Sequence, residues 1–308
     1  MPAKLIDGKS LAAALRESVA HEVAKLAAQK LPVRLVAILV GEDPAAMDYA
    51  NSQKKQCAQH GIQYVLQTLP ATTTESQLHE VIHTLNRDPT VTGIFLHAPL
   101  PNGLDLQEAQ YQIDILKDVE GVNPANLGHV IYGHTIIAPC TALACVELID
   151  STGVPLQGAN VTVVGASRIV GRPLALLLTE RNATITLCHI FTKDTPAACR
   201  TADIIVVAVG KPNLIRTDHI RPSGEVVVID VGFNRIKDPA TGQEKTVGDV
   251  AFDEVAPLAS HITPVPGGVG PMTVAMLLRN TLRAAKLVHG LEKPFAGKQR
   301  NLPFPPGP

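Results

Sequence analysis

Two glycine-rich segments have the residue types that bring a main chain close to a ligand. The first, 165–173, follows an apolar strand-like run at 160–164 and opens a stretch rich in leucine and alanine. A strand, a glycine turn and a helix in that order point free backbone N–H groups at a pyrophosphate. Because the turn lacks the usual G-x-G-x-x-G spacing, an ordinary strand-to-helix turn is the alternative. The predicted cofactor-binding residues here are Gly165, Ala166, Ser167 and Arg168.

The second segment is the proline- and glycine-rich run 263–273 near the C-terminus. Its prolines fix φ, while its glycines allow positive φ and close approach of other groups. We expect a rigid loop that faces a ligand, followed by a helix that begins at Met272 and Thr273. A simple tight connection between a strand and a helix is the alternative.

Segments with helical and strand-like patterns alternate in the first hundred residues. Helices are predicted at 8–29, 43–60 and 74–87, and strands at 33–40, 64–68 and 92–96. This alternation indicates a parallel sheet, whose strands direct their carboxyl ends toward one edge. Gly41, the helix start at Asp43 and His97 are therefore expected to border one crevice.

The second half repeats the pattern and predicts a Rossmann-like lobe, so the fold class is α/β with two lobes. A helix is expected at 142–150, and strands at 160–164, 184–188, 204–209 and 226–231. The residue that ends the second of these strands meets the adenosine ribose in a dinucleotide site. This chain has no acid there, and Lys193 is either a phosphate ligand or a solvated surface lysine. The choice between NAD and NADP stays open.

Composition excludes several function classes. The chain has 308 residues, 45% hydrophobic, with 27 Lys and Arg against 28 Asp and Glu, so no broad basic surface favours nucleic acid or an anionic membrane. No apolar stretch approaches the roughly 20 residues that cross a bilayer, and a cytoplasmic protein is expected. Five cysteines without metal-ligand spacing predict reduced thiols and no metal site.

Several motifs in one order resemble the methylenetetrahydrofolate dehydrogenase and methenyltetrahydrofolate cyclohydrolase (FolD) family over about residues 4–286. They lie at 40–45, 49, 72–75, 117–119, 139–141, 165–173, 248–250 and 263–273. The resemblance implies a folate-binding catalytic lobe at 1–141 that a C-terminal helix at 272–289 completes. It also implies an NAD(P)-binding lobe at 142–271, a substrate cleft between the lobes, and a homodimer formed through the Rossmann lobe. The tail 290–308, rich in proline, is expected to be disordered or weakly docked.

The family's chemistry has two steps, a hydride transfer from a methylene-folate to NAD(P) and hydrolysis of the methenyl product. The resemblance implies that Tyr49 faces the one-carbon unit and that Pro266, Gly267 and Gly268 contact the substrate. Three family positions are changed: Gln53 stands in place of a lysine, His97 in place of a glutamine, and Glu120 in place of a pterin-binding aspartate.

These changes predict a weak or absent cyclohydrolase step, because an amide cannot exchange protons near neutral pH. Lys54 and Lys55 point in other directions on the helix and are expected to be solvated. His97 either carries protons, oriented by Gln53, or only fills space. Glu120 extends the carboxylate by a methylene, so a folate binds differently or another ring binds. The catalytic positions proposed from the sequence are Tyr49, Gln53 and His97.

The cofactor lobe also departs from the family. Ile190 stands where many members have a serine or arginine that holds the ribose phosphate, which weakens the case for NADP and leaves the preference between NAD and NADP open. Ile190 and Thr192 remain predicted cofactor-binding residues. Ala142–Ala144 replaces a proline-containing turn and favours helix. Cys140, beside the predicted cleft, is expected to be a packed thiol.

Three functions remain in view. The first is a methylene-folate dehydrogenase with reduced cyclohydrolase activity, which the glycine turn and the proline-glycine run favour. The second is an enzyme for a different iminium or pterin-like substrate, which the joint change at Gln53, His97 and Glu120 favours. The third is a non-catalytic sensor of folate or nucleotide.

Overall fold

The structure, a computed structural model, describes residues 3–101, 103–237 and 242–294. In chain order the elements of the first part are β1 (Lys4–Leu5), α1 (Gly8–Ala28), β2 (Arg34–Val40), α2 (Pro44–Gln59), β3 (Gln63–Leu69), α3 (Glu75–Arg87), β4 (Gly93–Leu96), α4 (Leu106–Tyr111) and α5 (Pro124–Ile131). They are followed by α6 (Cys140–Asp150), β5 (Asn160–Val164), α7 (Gly171–Thr179), β6 (Thr184–Cys188), α8 (Thr195–Arg200), β7 (Ile204–Val207), β8 (Val227–Asp230), β9 (Asn234–Lys237), β10 (Glu244–Val247), α9 (Phe252–Val255), β11 (His261–Ile262) and α10 (Val269–Val288).

The first lobe is built on a parallel sheet in the order β3-β2-β4. The central strand β2 is an almost continuous apolar run and is buried along nearly its whole length, as expected for a parallel strand covered on both faces. In its register, Leu35 lies beside Tyr64 on one neighbour and beside Gly93 on the other. The carboxyl ends of β2 and β4 therefore lie at one edge, where α2 also begins.

Local capping explains where the helices of this lobe start. At α2, the Asp43 carboxylate accepts from the backbone N–H of Ala46 at 2.8 Å, and Pro44 occupies the first turn, a position where its missing N–H costs nothing. At α3, the Thr74 and Gln77 side chains form a reciprocal capping box, which satisfies two backbone N–H groups that the helix leaves open.

The second lobe is a six-stranded parallel sheet in the order β1-β11-β8-β7-β5-β6. The strands β6 and β7, which follow β5 in the chain, lie on opposite sides of it, so the carboxyl end of β5 lies at the switch point where such sheets bind ligands. The hairpin of β9 and β10 lies outside the main sheet. The α/β class and the Rossmann-like lobe predicted from the sequence are confirmed.

Helix α10 joins the two lobes by packing against both α1 and α6. Asn280, which is 3% exposed, donates to the backbone carbonyls of Val119 and Ala138, both at 3.0 Å. A Cβ built on Gly93 of β4 would lie 3.7 Å from the Thr281 methyl group. The last described helix therefore contacts both lobes.

Two features differ from the sequence-based expectation. Strand β1 pairs with β11, so the first described residues extend the sheet of the second lobe rather than that of the first. Helix α10 begins at Val269 and not at Met272; Pro271 falls in its first turn, where the helix tolerates proline. The prediction of a later start was wrong because it treated proline as a barrier to helix.

Within the described part of the chain, no helix has the length and apolar character that a membrane span requires. The predicted tail is described only as far as residue 294. In that stretch Leu291 and Glu292 donate their backbone N–H groups to the Lys286 carbonyl at 2.8 and 3.2 Å. Residues 295–308 lie outside the described residues.

Candidate functional site

Helix α2 and strand β4 bring Tyr49, Gln53 and His97 to one place. Tyr49 and Gln53 are four residues apart on the same face of α2, while His97 directly follows β4. The rings of Tyr49 and His97 have centroids 5.9 Å apart and lie nearly perpendicular, and Phe95 packs against His97 at 4.8 Å. The three catalytic positions proposed from the sequence thus lie close together. Tyr49, His97 and Phe95, which the sequence did not identify, form one wall of a cavity, whereas Gln53 is not among the described residues that line it.

Gln53 is only 2% exposed. Its Oε1 accepts from the hydroxyl of Tyr64 at 3.2 Å, while its Nε2 has no hydrogen-bond partner among the described residues. Lys54 and Lys55, the next two residues of the helix, are exposed, as expected. An amide therefore occupies the buried position on this face of α2.

His97 is buried to the same degree and its Nε2 also lacks a partner in the described part of the chain. Burial lowers the pKa of its imidazole from 6.5 to about 4, because a charged ring is poorly solvated there. The ring is neutral at physiological pH. It is therefore a weak base, which favours the space-filling alternative over the proton-carrying one.

Glu120 follows two residues after a second carboxylate, Asp118, whose position is fixed by hydrogen bonds. The oxygens of Asp118 accept from the backbone N–H of Gly121 at 3.1 Å and of Asn123 at 2.8 Å, and from the Asn126 amide at 3.0 Å. Burial, together with the charge of Asp118, raises the pKa of Glu120 from 4.5 to about 8. Glu120 thus titrates close to neutral pH.

The remaining groups near Glu120 are poorly suited to carry a proton. Burial raises the pKa of the Tyr49 hydroxyl to about 12 and raises the pKa of the Cys140 thiol. The Cys140 thiol donates to the Val119 carbonyl, which fits the packed thiol that was expected. Lys117 uses its ammonium group on the carbonyls of residues 85, 86 and 88, at 2.7 to 3.0 Å, and is a structural cation.

Two adjoining cavities meet at this wall and extend between the lobes. The larger, about 700 Å³, is lined by Tyr49, His97 and Glu120 from the first lobe and by Arg168 and Ile169 from the glycine turn. The smaller, about 160 Å³, shares Tyr49, Glu120 and Ile169 and adds residues of α6 and α10, which are Cys140, Thr141, Thr273 and Leu277. No lysine is among the described residues that line either cavity.

The glycine turn after β5 is shaped by contacts that exclude side chains. A Cβ on Gly165, whose φ is +115°, would lie 2.2 Å from the Ala208 carbonyl oxygen, and one on Gly171 would lie 1.7 Å from the Gly165 oxygen. The Ser167 hydroxyl accepts from the N–H groups of Val170 and Gly171 at 3.2 and 3.3 Å.

The backbone N–H groups at 166–169 have no acceptor among the described residues. They lie just before α7 and at the switch point of the sheet, where a dinucleotide pyrophosphate would find both N–H donors and a helix N-terminus. The residues present therefore fit a dinucleotide. Arg168 reaches across to the first lobe and donates to the Gln107 side chain, a contact between lobes that the sequence pattern did not reveal.

The other predicted site residues lie in two places. Ile190 and Thr192 follow β6, beside the glycine turn; Ile190 is 91% exposed. Pro266, Gly267 and Gly268 lie against the start of α1, where a Cβ on Gly8 would approach the Gly268 oxygen to 2.0 Å. These three residues are not among the described residues that line the two cavities. Thr273 and Leu277 of the following helix do line the smaller cavity.

Acidic residues that the sequence did not identify support the strand ends of the second lobe. Asp230 accepts from the N–H groups of Gly232, Asp249 and Val250, all at 2.9 Å, and burial raises its pKa to about 6. Asp249 accepts from Val209 and Gly210 at 2.8 Å. An aspartate that ends an apolar strand is the sequence signal that indicates this role.

Together these features define a two-lobed α/β protein whose Rossmann-like lobe offers a dinucleotide site beside a cleft. Residues 6–120 match the family described as "Tetrahydrofolate dehydrogenase/cyclohydrolase, catalytic domain", and residues 139–289 match "Tetrahydrofolate dehydrogenase/cyclohydrolase, NAD(P)-binding domain". The chain belongs to the tetrahydrofolate dehydrogenase/cyclohydrolase family, and the resemblance read from its motifs is confirmed.

Individual relatives are similar over nearly their whole length. The "Bifunctional protein FolD" of Rhodopseudomonas palustris strain BisA53 is 47% identical over 295 residues, 96% of this chain and 99% of that protein. That of Moorella thermoacetica is 45% identical over 286 residues, 93% of this chain and all of that protein.

Solved structures are similar as well. The bifunctional enzyme FolD from Campylobacter jejuni aligns with a TM-score of 0.87 at 40% identity, covering 92% of this chain and 99% of that one. The Trypanosoma brucei enzyme, solved with NADP cofactor and inhibitor, aligns at 0.84 with 36% identity, covering 93% of this chain and 98% of that one.

Proposed function

We propose that this protein oxidises 5,10-methylenetetrahydrofolate with NAD(P) in one-carbon metabolism and hydrolyses the methenyl product weakly or not at all. The observation that carries the second half is Gln53. It occupies the buried position beside Tyr49 where the family has a lysine, and no lysine is among the described residues lining the cleft.

The dehydrogenase step depends on alignment more than on proton transfer. The nicotinamide ring, when bound, supplies the hydride acceptor. The protein's part is to hold the dinucleotide on the glycine turn and the folate against Tyr49 and Glu120. The cleft, lined by residues of both lobes, can bring the two reacting carbons together and exclude water. None of these tasks requires an ammonium group at position 53.

Hydrolysis has different requirements. Water adds to the methenyl carbon and loses a proton to give a carbinolamine. The hydroxyl of this carbinolamine then loses its proton as the formyl carbonyl forms, while the ring nitrogen takes up a proton as its bond to that carbon breaks. The Gln53 amide neither accepts nor donates a proton near neutral pH, and His97, with a pKa of about 4, is a poor base. Tyr49 is a poor proton donor and an even poorer source of phenolate at its pKa of about 12. None of these three side chains is an efficient proton carrier for the second step, and Glu120, which titrates near neutral pH, stands at the family's pterin-binding position rather than beside the one-carbon unit.

The experiment follows both steps with purified protein. Reduced cofactor and the methenyl intermediate should form together, with the intermediate accumulating rather than passing to 10-formyltetrahydrofolate. Gln53→Lys should raise the hydrolysis rate by about a hundredfold, the lower end of what a positioned acid or base contributes. Gln59→Lys, the same change at an exposed position of the same helix, serves as the control. Rapid formation of the formyl product by the unaltered protein would contradict the proposal.

A different iminium or pterin-like substrate is the second candidate, and Glu120 is the observation that favours it. With a pKa of about 8, this carboxyl is largely protonated at neutral pH and can donate a hydrogen bond where an ionised carboxylate would only accept. Absence of reduced cofactor with methylenetetrahydrofolate, combined with turnover of another pterin, would select this candidate. Folate binding without any turnover would select a non-catalytic sensor.

A cytoplasmic homodimer completes the proposal. All five cysteines are free and buried, which fits a reducing compartment. Strand β6 forms one edge of the six-stranded sheet and leaves Leu187 exposed, and such an edge is suited to pairing with a second copy. The domain division at 141 and 142, with 272–289 completing the first lobe, is part of the same proposal. A monomer in light scattering at micromolar concentration would exclude the dimer.

A further inference from the structure

The loop that follows β6, residues 189–193, lies where a dinucleotide's adenosine ribose is recognised. Strand β6 is paired with β5, Val164 lies opposite Cys188, and the N–H of Gly165 donates to the Cys188 carbonyl at 3.0 Å. The adenosine loop, as we name residues 189–193, is therefore the immediate neighbour of the glycine turn. In this fold the residue at the end of the second strand contacts the ribose.

The backbone of the adenosine loop is occupied by its own hydrogen bonds. The N–H of Thr192 donates to the His189 carbonyl at 2.8 Å, and the N–H of His189 donates to the Thr192 hydroxyl at 2.9 Å. The N–H of Phe191 donates to Nδ1 of His189 at 3.1 Å. These three N–H groups, which could otherwise hold a phosphate, are already satisfied.

The side chains at the tip of the loop are apolar. Ile190 is 91% exposed and Phe191 is 85% exposed, so both side chains are accessible to a ligand bound at the glycine turn. Both can contact an adenine ring or an unmodified ribose. Neither can offset the charge of a phosphate, which proteins bind most tightly with a bidentate arginine.

Three described cations belong to this loop, to the neighbouring glycine turn or to the helix after it, and none lies at the loop tip. Arg168 of the glycine turn is engaged with the Gln107 side chain of the first lobe. Lys193 is exposed at the end of the adenosine loop, and Arg172 is exposed in the first turn of α7. A solvated lysine on a flexible stem loses side-chain entropy when it is ordered and contributes little in water. A ribose phosphate would therefore lie against apolar side chains and satisfied N–H groups.

We propose that this protein uses NAD in preference to NADP, and that Ile190 is the residue that determines this specificity. The proposal rests on the proposed function only in taking the second lobe to bind a nicotinamide dinucleotide. It concerns recognition of the adenosine end and is independent of the fate of the folate.

The test is calorimetric titration of the purified protein with each oxidised dinucleotide, without folate. NAD should bind about tenfold more tightly than NADP, since a desolvated phosphate without a charged partner loses binding energy of that order. Ile190→Arg should tighten NADP at least about tenfold and change NAD by less than about threefold. Ile190→Leu should keep the NAD preference, and Gln59→Arg, which adds the same charge on the first lobe, should change neither affinity.

Three results would overturn the proposal: tighter binding of NADP by the unaltered protein, an NAD to NADP ratio that Ile190→Arg leaves unchanged, or binding of neither dinucleotide. Lys193→Ala should change both affinities equally or not at all. Selective loss of NADP binding would show that Lys193, and not Ile190, determines the specificity for the ribose phosphate. Intact NAD binding together with no oxidation of methylenetetrahydrofolate would contradict the proposed function and leave this specificity in place.

Discussion

Gln53 and His97 each keep a buried nitrogen without a hydrogen-bond partner among the described residues. A buried polar atom that is left unpaired costs about 1–3 kcal/mol, so such atoms persist mainly where function requires them or where water or a ligand satisfies them. Both nitrogens belong to residues that contact or adjoin Tyr49 in the cleft. Of the two residues, only His97 is among the described residues that line the cleft, and Gln53 packs behind Tyr49 without reaching either cavity.

His97 makes stability depend on pH in a predictable direction. Folding lowers the pKa of this imidazole from 6.5 to about 4, so the unfolded chain binds more protons between these values. Stability should therefore fall as pH falls from about 6.5 to about 4, by up to about 3 kcal/mol. Urea unfolding across this range should show a flatter dependence for His97→Gln than for the control His21→Gln, an exposed position. If the free energy of unfolding depended on pH in the same way in both variants, the pKa of His97 would be the same in the folded and the unfolded protein.

Glu120 should control how folate binding responds to pH. The ring edge that a pterin presents to a carboxylate carries N–H donors, so binding improves when Glu120 is ionised. Since its pKa lies at about 8, the ionised fraction at pH values below 8 rises about tenfold for each unit by which the pH increases. The KM for methylenetetrahydrofolate should fall from about pH 6 to about pH 8. With Glu120→Gln this dependence should vanish, whereas Glu108→Gln, at a carboxyl elsewhere in the same cavity, should keep it. A KM independent of pH in the unaltered protein would show that Glu120 does not need to ionise.

At the scale of elements, the turn between β5 and α7 depends on two glycines for steric reasons. A methyl group at Gly171 would lie 1.7 Å from the Gly165 carbonyl oxygen, so Gly171→Ala must displace the turn that presents the N–H groups of 166–169. Dinucleotide affinity should fall by at least about tenfold, the ratio that about 1.4 kcal/mol gives. Gly270→Ala is the matched control, because no heavy atom lies within 4 Å of a Cβ there. Fluorescence or calorimetric titration measures both. Equal affinities would show that the turn accommodates a side chain.

The elements also show how far the sequence could predict the fold. The longer strands of the two parallel sheets and the helices α1, α2 and α3 were predicted within a few residues, because apolar periodicity and capping signals are local. The hairpin strands β9 and β10 and the short helices α4, α5 and α8 were not predicted. Strand β1 has two residues and pairs with β11, more than 250 positions away, so no local pattern indicates it. The sequence did not predict the partners of the site residues either. The Gln53 contact with Tyr64 and the Arg168 contact with Gln107 form only when separate elements pack together.

At the scale of the whole molecule, β1 and α10 connect the two lobes. Strand β1 extends the sheet of the second lobe, while α10 returns from that lobe and packs against α1 and α6. The cleft is lined by both lobes, so its shape depends on these two connections. Val119, which accepts from Asn280, directly precedes Glu120, and Leu277 on α10 lines the smaller cavity. Integrity of the α10 contacts and geometry of the site are therefore coupled.

Asn280 tests this coupling directly. Asn280→Ala removes the donor that serves the buried carbonyls of Val119 and Ala138. Among the described residues the Val119 carbonyl keeps only the weak donor Cys140, so the free energy of unfolding should fall by about 2 kcal/mol. Asn51→Ala, at an exposed position of α2, should change it by less than about 0.5 kcal/mol. Urea unfolding measures both. Because the segment carrying Glu120 then loses its anchor, the KM for methylenetetrahydrofolate should also rise in Asn280→Ala, while the affinity for dinucleotide, whose site lies on the other lobe, stays the same. A loss of dinucleotide affinity as large as the loss of folate affinity would show that α10 maintains both lobes rather than the first.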